Sequence, residues 1–407
     1  MINRQEMGMM AGGLSKERLE RMCRVMEGHV ERGDIPGLVA LVSRRGETHV
    51  HTLGTRAMGG AEPVRRDTLF RVASLTKPVA AVAAMILVEE CRIRLDDPVD
   101  DLLPELADRR VMKRHDGPID DTEPARRSIK VRDLLTLRLG IGHVMDRWGE
   151  LPIHQAFREI NILQGPPHPG TTVPPDEWMR RLGTLPLVHH PGERWLYDLG
   201  IDVLGVLIAR AAGQPLGEFL RERIFEPLGM KDTAFHVAPD QIHRLATAYA
   251  PGPDGGLALY DKPDGEWSRP PAFPSASGGL VSTVDDYLAF GRMMLGGGKS
   301  GNVRILSRPA VQVMTTNQLA PGQTAGSEML IPEHRGWGFG MSVVTGRDDI
   351  SAVPGRFGWD GGLGTSWYCD PAEELVGVLM TQVAWTSPAG PRVWSDFWTS
   401  AYQAIDD

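Results

Sequence analysis

The 407-residue chain reads as an α/β (α+β) protein, with strands towards both ends and helices through the middle. Three observations predict this. Pro36 to Val42 and Glu47 to Leu53 are short apolar or alternating runs around Arg44-Arg45-Gly46, the pattern of a β-hairpin. Gly336 to Ser342, Gly364 to Asp370 and Leu375 to Thr381 are strand-like runs near the other end. Between them, apolar residues recur mostly at helical spacing. The pattern predicts one unit over residues 15–405: an α/β half from about 15–70 and 275–405, and a mainly helical half from about 71–274.

The elements follow in order. Ser15 to Arg32 reads as an amphipathic helix capped by Ser15, with Leu19, Met22, Met26 and Val30 on one face. The hairpin comes next, and after it an alanine-rich helix that starts at Ser74 and runs to about Glu90. Leu95 to Val99 makes a turn. Residues 104–130 are charged and rich in breakers, which predicts an exposed loop. Val131 to Thr136 opens another helix. Residues 143–178 mix Trp148, Phe157 and Trp178 with several prolines and glycines, the composition of an irregular pocket wall or lid, although core packing of the aromatics explains them equally. Gly200 to Ala212 and Leu216 to Ile224 are helical, the second ending in Phe225-Glu226-Pro227-Leu228-Gly229-Met230. Thr283 caps a helix over Val284 to Leu295 with Asp285 and Asp286 in its first turn. Trp394 to Ile405 closes the chain as a helix. No internal repeat is visible.

Bulk properties narrow the function classes. Hydrophobic content of 42% and charged content of 24% are ordinary for a globular protein. A formal net charge of −8 gives no reason to expect nucleic acid or an anionic membrane as partner. Three cysteines, Cys23, Cys91 and Cys369, are too few and too scattered for a disulfide framework or a zinc site. The first residues lack the basic-then-apolar pattern of a signal peptide, and no run approaches the length of a membrane span. The expectation is a cytoplasmic protein with no cofactor or metal and an undetermined oligomeric state.

The stretch richest in chemistry is Phe70-Arg71-Val72-Ala73-Ser74-Leu75-Thr76-Lys77. Residues i and i+3 share a helix face, so Ser74 Oγ and Lys77 Nζ can meet. A serine hydroxyl is a weak nucleophile until a base takes its proton. A buried lysine can lose its own proton and serve as that base, because desolvation disfavours the ammonium. Amides near a helix N-terminus can also hold an oxyanion. Ser-x-x-Lys arises about once by chance in a chain this long, and a helix cap at Ser74 beside a solvated Lys77 explains the spacing too. Among seven lysines, however, only Lys77 has a serine three residues before it.

The flanking residues decide between these readings. Phe70 to Lys77 resembles the F-R-x-A-S-x-T-K segment of the serine hydrolases related to class C β-lactamases, DD-peptidases and family VIII carboxylesterases. Leu134-Leu135-Thr136-Leu137-Arg138-Leu139-Gly140-Ile141 resembles that family's L-L-T-H-T-S-G-L stretch with its His and Ser lost. Ile224 to Met230 matches I-F-x-P-L-G-M, and Gly278 to Asp286 matches G-G-L-x-S-T-x-x-D. The resemblance spans about residues 15–405. It implies the β-lactamase/transpeptidase-like fold, an antiparallel sheet flanked by helices with an inserted mainly helical subdomain, and a small-molecule acyl substrate. It also implies that Ser74 is the acylated nucleophile and Lys77 its base.

Two further motifs complete the implied site. Pro191-Gly192-Glu193-Arg194-Trp195-Leu196-Tyr197 matches P-G-x-x-W-x-Y, which makes Tyr197 the proton-handling tyrosine; an ammonium nearby, such as Lys77, favours its phenolate. Leu199 stands where class C β-lactamases usually carry Asn, which favours esterase-like chemistry. Gly358-Trp359-Asp360-Gly361-Gly362 then resembles the strand that carries K-T-G or H-x-G in penicillin-recognising relatives and W-G-G in family VIII esterases. Its implied oxyanion hole is the pair of backbone N–H groups of Ser74 and Gly362. Trp359 replaces a cation with an apolar wall, and Asp360 is expected to repel carboxylates. Substrate contacts are expected from Trp359, Asp360, Gly361 and Trp148. A replacement cation for a β-lactam would have to come from elsewhere, such as an arginine of residues 126–147.

Competing motifs fail. Gly296-Gly297-Gly298-Lys299-Ser300 resembles a phosphate loop, but Met293 occupies the position of its first glycine. No G-x-S-x-G elbow occurs, and His189-His190 lacks metal-ligand spacing. The expected function is hydrolysis of carboxylic esters through a Ser74 acyl-enzyme. Alternatives are an acyltransferase using the same intermediate, a β-lactamase or DD-peptidase, and a scaffold or sensor that keeps the fold without turnover.

Overall fold

A computed structural model describes residues 12–145, 149–162, 165, 167–385 and 390–407. Helix α1 (Lys16–Glu31) starts where the Ser15 hydroxyl accepts the Arg18 amide, and its buried face is Leu19, Met22 and Met26. Strands β1 (Gly37–Arg44) and β2 (Glu47–Gly54) form the hairpin. Helix α2 (Thr76–Glu89) follows the nucleophile segment, α3 is Leu199–Ala212, and α4 is Val284–Leu295, capped by Thr283. Strands β3 (Arg335–Trp337), β4 (Ser342–Val344), β5 (Phe357–Gly361), β6 (Thr365–Asp370) and β7 (Leu375–Met380) precede α5 (Arg392–Gln403).

The seven-stranded sheet is ordered β3-β4-β5-β6-β7-β1-β2, and its paired neighbours are antiparallel. Strands from the two ends of the chain therefore meet at the β7–β1 seam, where Val39 faces Met380 and Arg44 faces Leu375. Every residue of β1 is buried, because the sheet is covered on both sides. Leu38, Ala40 and Val42 pack with α1 and α5, against Met22, Phe397 and Trp398. Val39 and Leu41, one step along the pleat, face the main core with α2, α3 and Trp367. Helix α2 lies inside that core, with Thr76 through Leu87 buried, which is why it is apolar all round.

Several segments differ from the sequence reading. Gly336 to Ser342 is not one strand: the chain folds back between β3 and β4, and Gly340 takes φ +72° where a Cβ would lie 2.8 Å from the Lys77 carbonyl oxygen. Residues 104–130 contain a small hairpin, Arg110–Met112 against Thr122–Pro124, whose Val111 and Met112 are buried. The described part of 143–178 holds two helices, Pro152–Glu159 and Pro175–Gly183. They bury Phe157 and Trp178. The helix from Leu216 continues through Pro227 to Leu228, because a proline in the first turn of its last segment needs no amide there. Among the described residues, no single helix is long and apolar enough to cross a membrane.

Candidate active site

Ser74 lies in one tight turn, Ala73–Leu75, just before α2. Ala73 adopts φ +44°, which a residue with a Cβ avoids unless its surroundings impose it. They do. The Val72 amide donates to the Leu280 carbonyl at 3.0 Å, and the Thr365 hydroxyl donates to the Val72 carbonyl at 3.0 Å. Thr76 donates its hydroxyl to the Ala73 carbonyl at 2.7 Å, and Tyr287 donates to the Leu75 carbonyl. Arg71, buried just upstream, pairs with Asp261 at 2.5 Å. The nucleophile turn is thus tied to α4 and to the sheet.

The structure brings the three candidate catalytic side chains together. Lys77 Nζ lies 3.0 Å from Ser74 Oγ, and the Tyr197 hydroxyl donates to the same oxygen at 2.8 Å. The Trp359 indole N–H donates to the Tyr197 oxygen at 2.6 Å. Tyr197 arrives just ahead of α3, and its ring packs on Trp195, Trp337 and Trp359. Lys77 makes two more bonds: one to the Ser277 carbonyl at 2.7 Å, and one to Asp198 Oδ1 at 2.6 Å.

Asp198 changes the protonation expected from sequence. Burial alone would push the Lys77 ammonium towards neutrality, but the carboxylate of Asp198, with Tyr197 behind it, raises its pKa above the ordinary lysine value. Burial likewise pushes the Tyr197 phenol up; Lys77 opposes this, Asp198 adds to it, and the net direction is upward. The site therefore rests with Lys77 as ammonium and Tyr197 as phenol. Burial also acts on Asp198, yet Lys77 and His143 hold its carboxyl below the usual range. Asp202, one turn further along α3, is pushed up to about 6 by burial and by Asp198. It accepts the Ser277 amide at 2.9 Å and the Ser275 and Ser277 hydroxyls, each at 2.8 Å, and so holds the strap whose carbonyl receives Lys77.

Ser74 opens into a cavity of about 620 Å³. Trp178, Leu199, Phe273, Leu330, Trp359 and Trp385 are among its apolar lining residues. Gly362 lines it as well, and a Cβ there would meet open space. No arginine or lysine is among the described lining residues.

The remaining predicted contacts sort differently. Trp359 bounds the cavity as expected, but it is also a hydrogen-bond donor to Tyr197. Asp360, the next residue on β5, also lines the cavity, but its carboxylate is taken up by Ser366, which donates at 2.5 Å, and by Tyr368 at 2.9 Å. Its charge is thus occupied by those two hydroxyls. Gly361 does not line the cavity; a Cβ there would lie 2.5 Å from the Val72 carbonyl, so the glycine lets β5 approach the nucleophile turn. Trp148 lies outside the described residues.

Sequence reasoning missed Asp198, Asp202, Ser277 and His143. Asp198 and Asp202 stood beside a recognised motif, at Tyr197 plus one and plus five, and Ser277 preceded the Gly278-Gly279 pair. His143 reaches the site by pairing its backbone with Tyr197 (amide to carbonyl, 2.9 Å), and nothing local in sequence marks it. Among the described residues, no three His, Cys, Asp or Glu side chains converge as a metal site.

The comparisons with known proteins agree with this architecture. A protein of Mycobacterium tuberculosis, Rv1367c, is 39% identical over 360 residues, covering 86% of this chain and 87% of that one. Esterase EstB of Burkholderia gladioli is 31% identical over 395 residues, covering 91% and 92%. Among solved structures, EstCE1, described as a hydrolase with promiscuous acyltransferase activity, superposes with a TM-score of 0.79 at 25% identity, over 95% of this chain and 99% of that one. The family model described as Beta-lactamase matches residues 22–392, and with that match the chain, folded as a β-lactamase/transpeptidase-like protein, belongs to the β-lactamase family.

Proposed function

We propose that the chain is a serine hydrolase that cleaves neutral carboxylic esters through an acyl-enzyme on Ser74. The observation that carries this is the Ser74 oxygen held between Lys77 at 3.0 Å and Tyr197 at 2.8 Å, where Ser74 lines a mainly apolar cavity. From its resting phenol Tyr197 first loses a proton to solvent, and Ser74 Oγ then adds to the ester carbonyl carbon as its own proton passes to the Tyr197 phenolate. The Trp359 N–H and the Lys77 ammonium stabilise that phenolate. The Ser74 and Gly362 amides hold the carbonyl oxygen as it becomes an oxyanion. Tyr197 returns the proton to the departing alkoxide. Water, deprotonated by the same phenolate, then attacks the acyl carbon; as the bond to Ser74 Oγ breaks, Tyr197 returns that proton to the serine oxygen, which releases the acid and free Ser74.

The substrate class follows from what lines the cavity. Trp359 presents an indole where penicillin-recognising relatives present a cation, and the described lining offers no other Arg or Lys. A buried carboxylate would enter unpaired, which disfavours β-lactams. Acyl transfer is the second reading, supported by the activity in the description of EstCE1 and by a cavity large enough for an alcohol in place of water.

The test is p-nitrophenyl butyrate hydrolysis and fluorophosphonate labelling of wild type and Ser74→Ala. Ser74 is expected to be the single labelled serine, with both labelling and hydrolysis lost in the variant. Labelling that persists at another serine overturns the assignment. Adding a primary alcohol to the assay separates transfer from hydrolysis by the ester formed.

A further inference from the structure

Asp198 lies closer to Lys77 than the nucleophile does. Its Oδ1 is 2.6 Å from Lys77 Nζ, while Ser74 Oγ is at 3.0 Å. Its backbone sits at φ +84°, ψ −74°, a conformation that a residue with a Cβ adopts only under constraint. That constraint is built in. The His143 amide clamps the Tyr197 carbonyl at 2.9 Å, and the Ile201 amide bonds the Asp198 carbonyl at 3.0 Å as α3 begins. Strain kept at one residue beside a nucleophile points to a use for its side chain.

The bonds around Lys77 define that use. An ammonium has three N–H donors and no lone pair, whereas a neutral amine has two donors and one lone pair. Lys77 Nζ faces three acceptors: Asp198 Oδ1, the Ser277 carbonyl at 2.7 Å, and Ser74 Oγ. The set matches the ammonium and leaves no lone pair to receive the Ser74 proton. The other groups facing Asp198 are Tyr197, its chain neighbour; the Ser277 side chain; His143, whose Nε2 lies 3.6 Å from Oδ2; and Asp202 on α3.

We propose that Asp198 is a positioning residue that keeps Lys77 an ammonium aimed at Ser74 and thereby sets the pH at which the Lys77–Tyr197 pair becomes able to take the serine proton. Atoms and charge balance in this scheme: once the Tyr197 phenol has lost its proton to solvent, the Ser74 Oγ proton moves to the phenolate oxygen, and Lys77 keeps its charge. The proposal rests on the Ser74 acyl-enzyme reading.

Asp198→Asn keeps the shape, removes the charge and tolerates positive φ; Asp198→Gly removes both side chain and strain. Losing one negative charge lets the Lys77–Tyr197 pair release a proton at lower pH, whichever group gives it up. Both variants are therefore expected to move the rising limb of kcat/KM against pH downward by about one to three units, with a lower plateau. Agreement between Asn and Gly separates the charge from the backbone, and Gly covers the case in which Asn fails to fold. A limb that stays in place in the folded variants overturns the proposal, because a purely structural residue would lower the plateau alone. Fluorophosphonate labelling in the same preparations keeps the two ideas apart. Labelled Ser74 with an unmoved limb rejects the role of Asp198 only, whereas unlabelled wild-type Ser74 rejects the acyl-enzyme reading and the proposal with it.

Discussion

Trp359 donates its indole N–H to the Tyr197 oxygen at 2.6 Å, and Tyr197 in turn reaches Ser74 at 2.8 Å. The indole thus serves as wall and as proton-network member at once. In the proposed mechanism this bond stabilises the Tyr197 phenolate without offering a charge to the substrate.

Tyr197→Phe keeps the ring, and with it the packing on Trp195, Trp337 and Trp359. It removes only the hydroxyl. We expect the thermal midpoint to change little while kcat on an alkyl ester falls by about 100-fold or more, the range for losing a general acid–base. Near-normal kcat on such a poor leaving group would reduce Tyr197 to an anchor.

Trp359→Phe tests the indole bond. The Trp359 N–H favours the phenolate and so lowers the Tyr197 pKa, against the upward push of burial. Without it that pKa rises, so the limb of kcat/KM that rises with pH should move to higher pH. A hydrogen bond to a charged group is worth about 1.5–3 kcal/mol, which corresponds to a shift of about one to two units. The direction is opposite to that expected for Asp198→Asn, so a pH–rate series on both variants checks the pair together.

Substrate preference is the third test. Of the arginines in residues 126–147, Arg127 pairs with Asp133 at 2.6 Å, Arg132 with Asp96 at 2.7 Å, and Arg138 bonds Gln323 at 3.1 Å; none of these, nor Arg126, lines the cavity, and Arg147 lies outside the described residues. We expect clear turnover of short-chain p-nitrophenyl esters and at most trace hydrolysis of nitrocefin by one preparation. A kcat/KM ratio favouring nitrocefin would return the protein to β-lactam chemistry.

Arg356 offers a stability test on the other face of the sheet. Its guanidinium carbon lies 4.2 Å from the ring centroid of Tyr368 and 4.0 Å from that of Trp398, and it donates to the Ser351 carbonyl at 2.7 Å. Arg356→Ala removes these contacts and leaves a cavity beside α5. The expected loss is about 2–4 kcal/mol in urea unfolding, and Lys should not restore it, because an ammonium does not stack as a plane.

Much of the molecule was legible along the chain. The period-two runs located the hairpin at Arg44-Arg45-Gly46, the Ser15 and Thr283 caps located two helix starts, and Ser74-x-x-Lys77 with Tyr197 named the residues that meet. These are local signals: spacing within a turn or a pleat decides them. Some local readings still failed. Gly336 to Ser342 looked like one strand, yet its fold-back at Gly340 is imposed by close approach to α2, some 260 residues earlier in the chain.

What only the tertiary structure decided is charge and direction. The alternation of β5 sends Trp359 to Tyr197 and Asp360 to Ser366, so two adjacent side chains read together in sequence meet different partners. Burial of Lys77 suggested a neutral base, but a carboxylate 2.6 Å away outweighs burial and keeps the ammonium. Periodicity records which residues are inside; it does not record who faces whom there. Coulomb energy varies inversely with distance and with the local dielectric. The protonation of Lys77 and Tyr197 was therefore set only when the folded chain buried the two groups and brought Asp198 beside them.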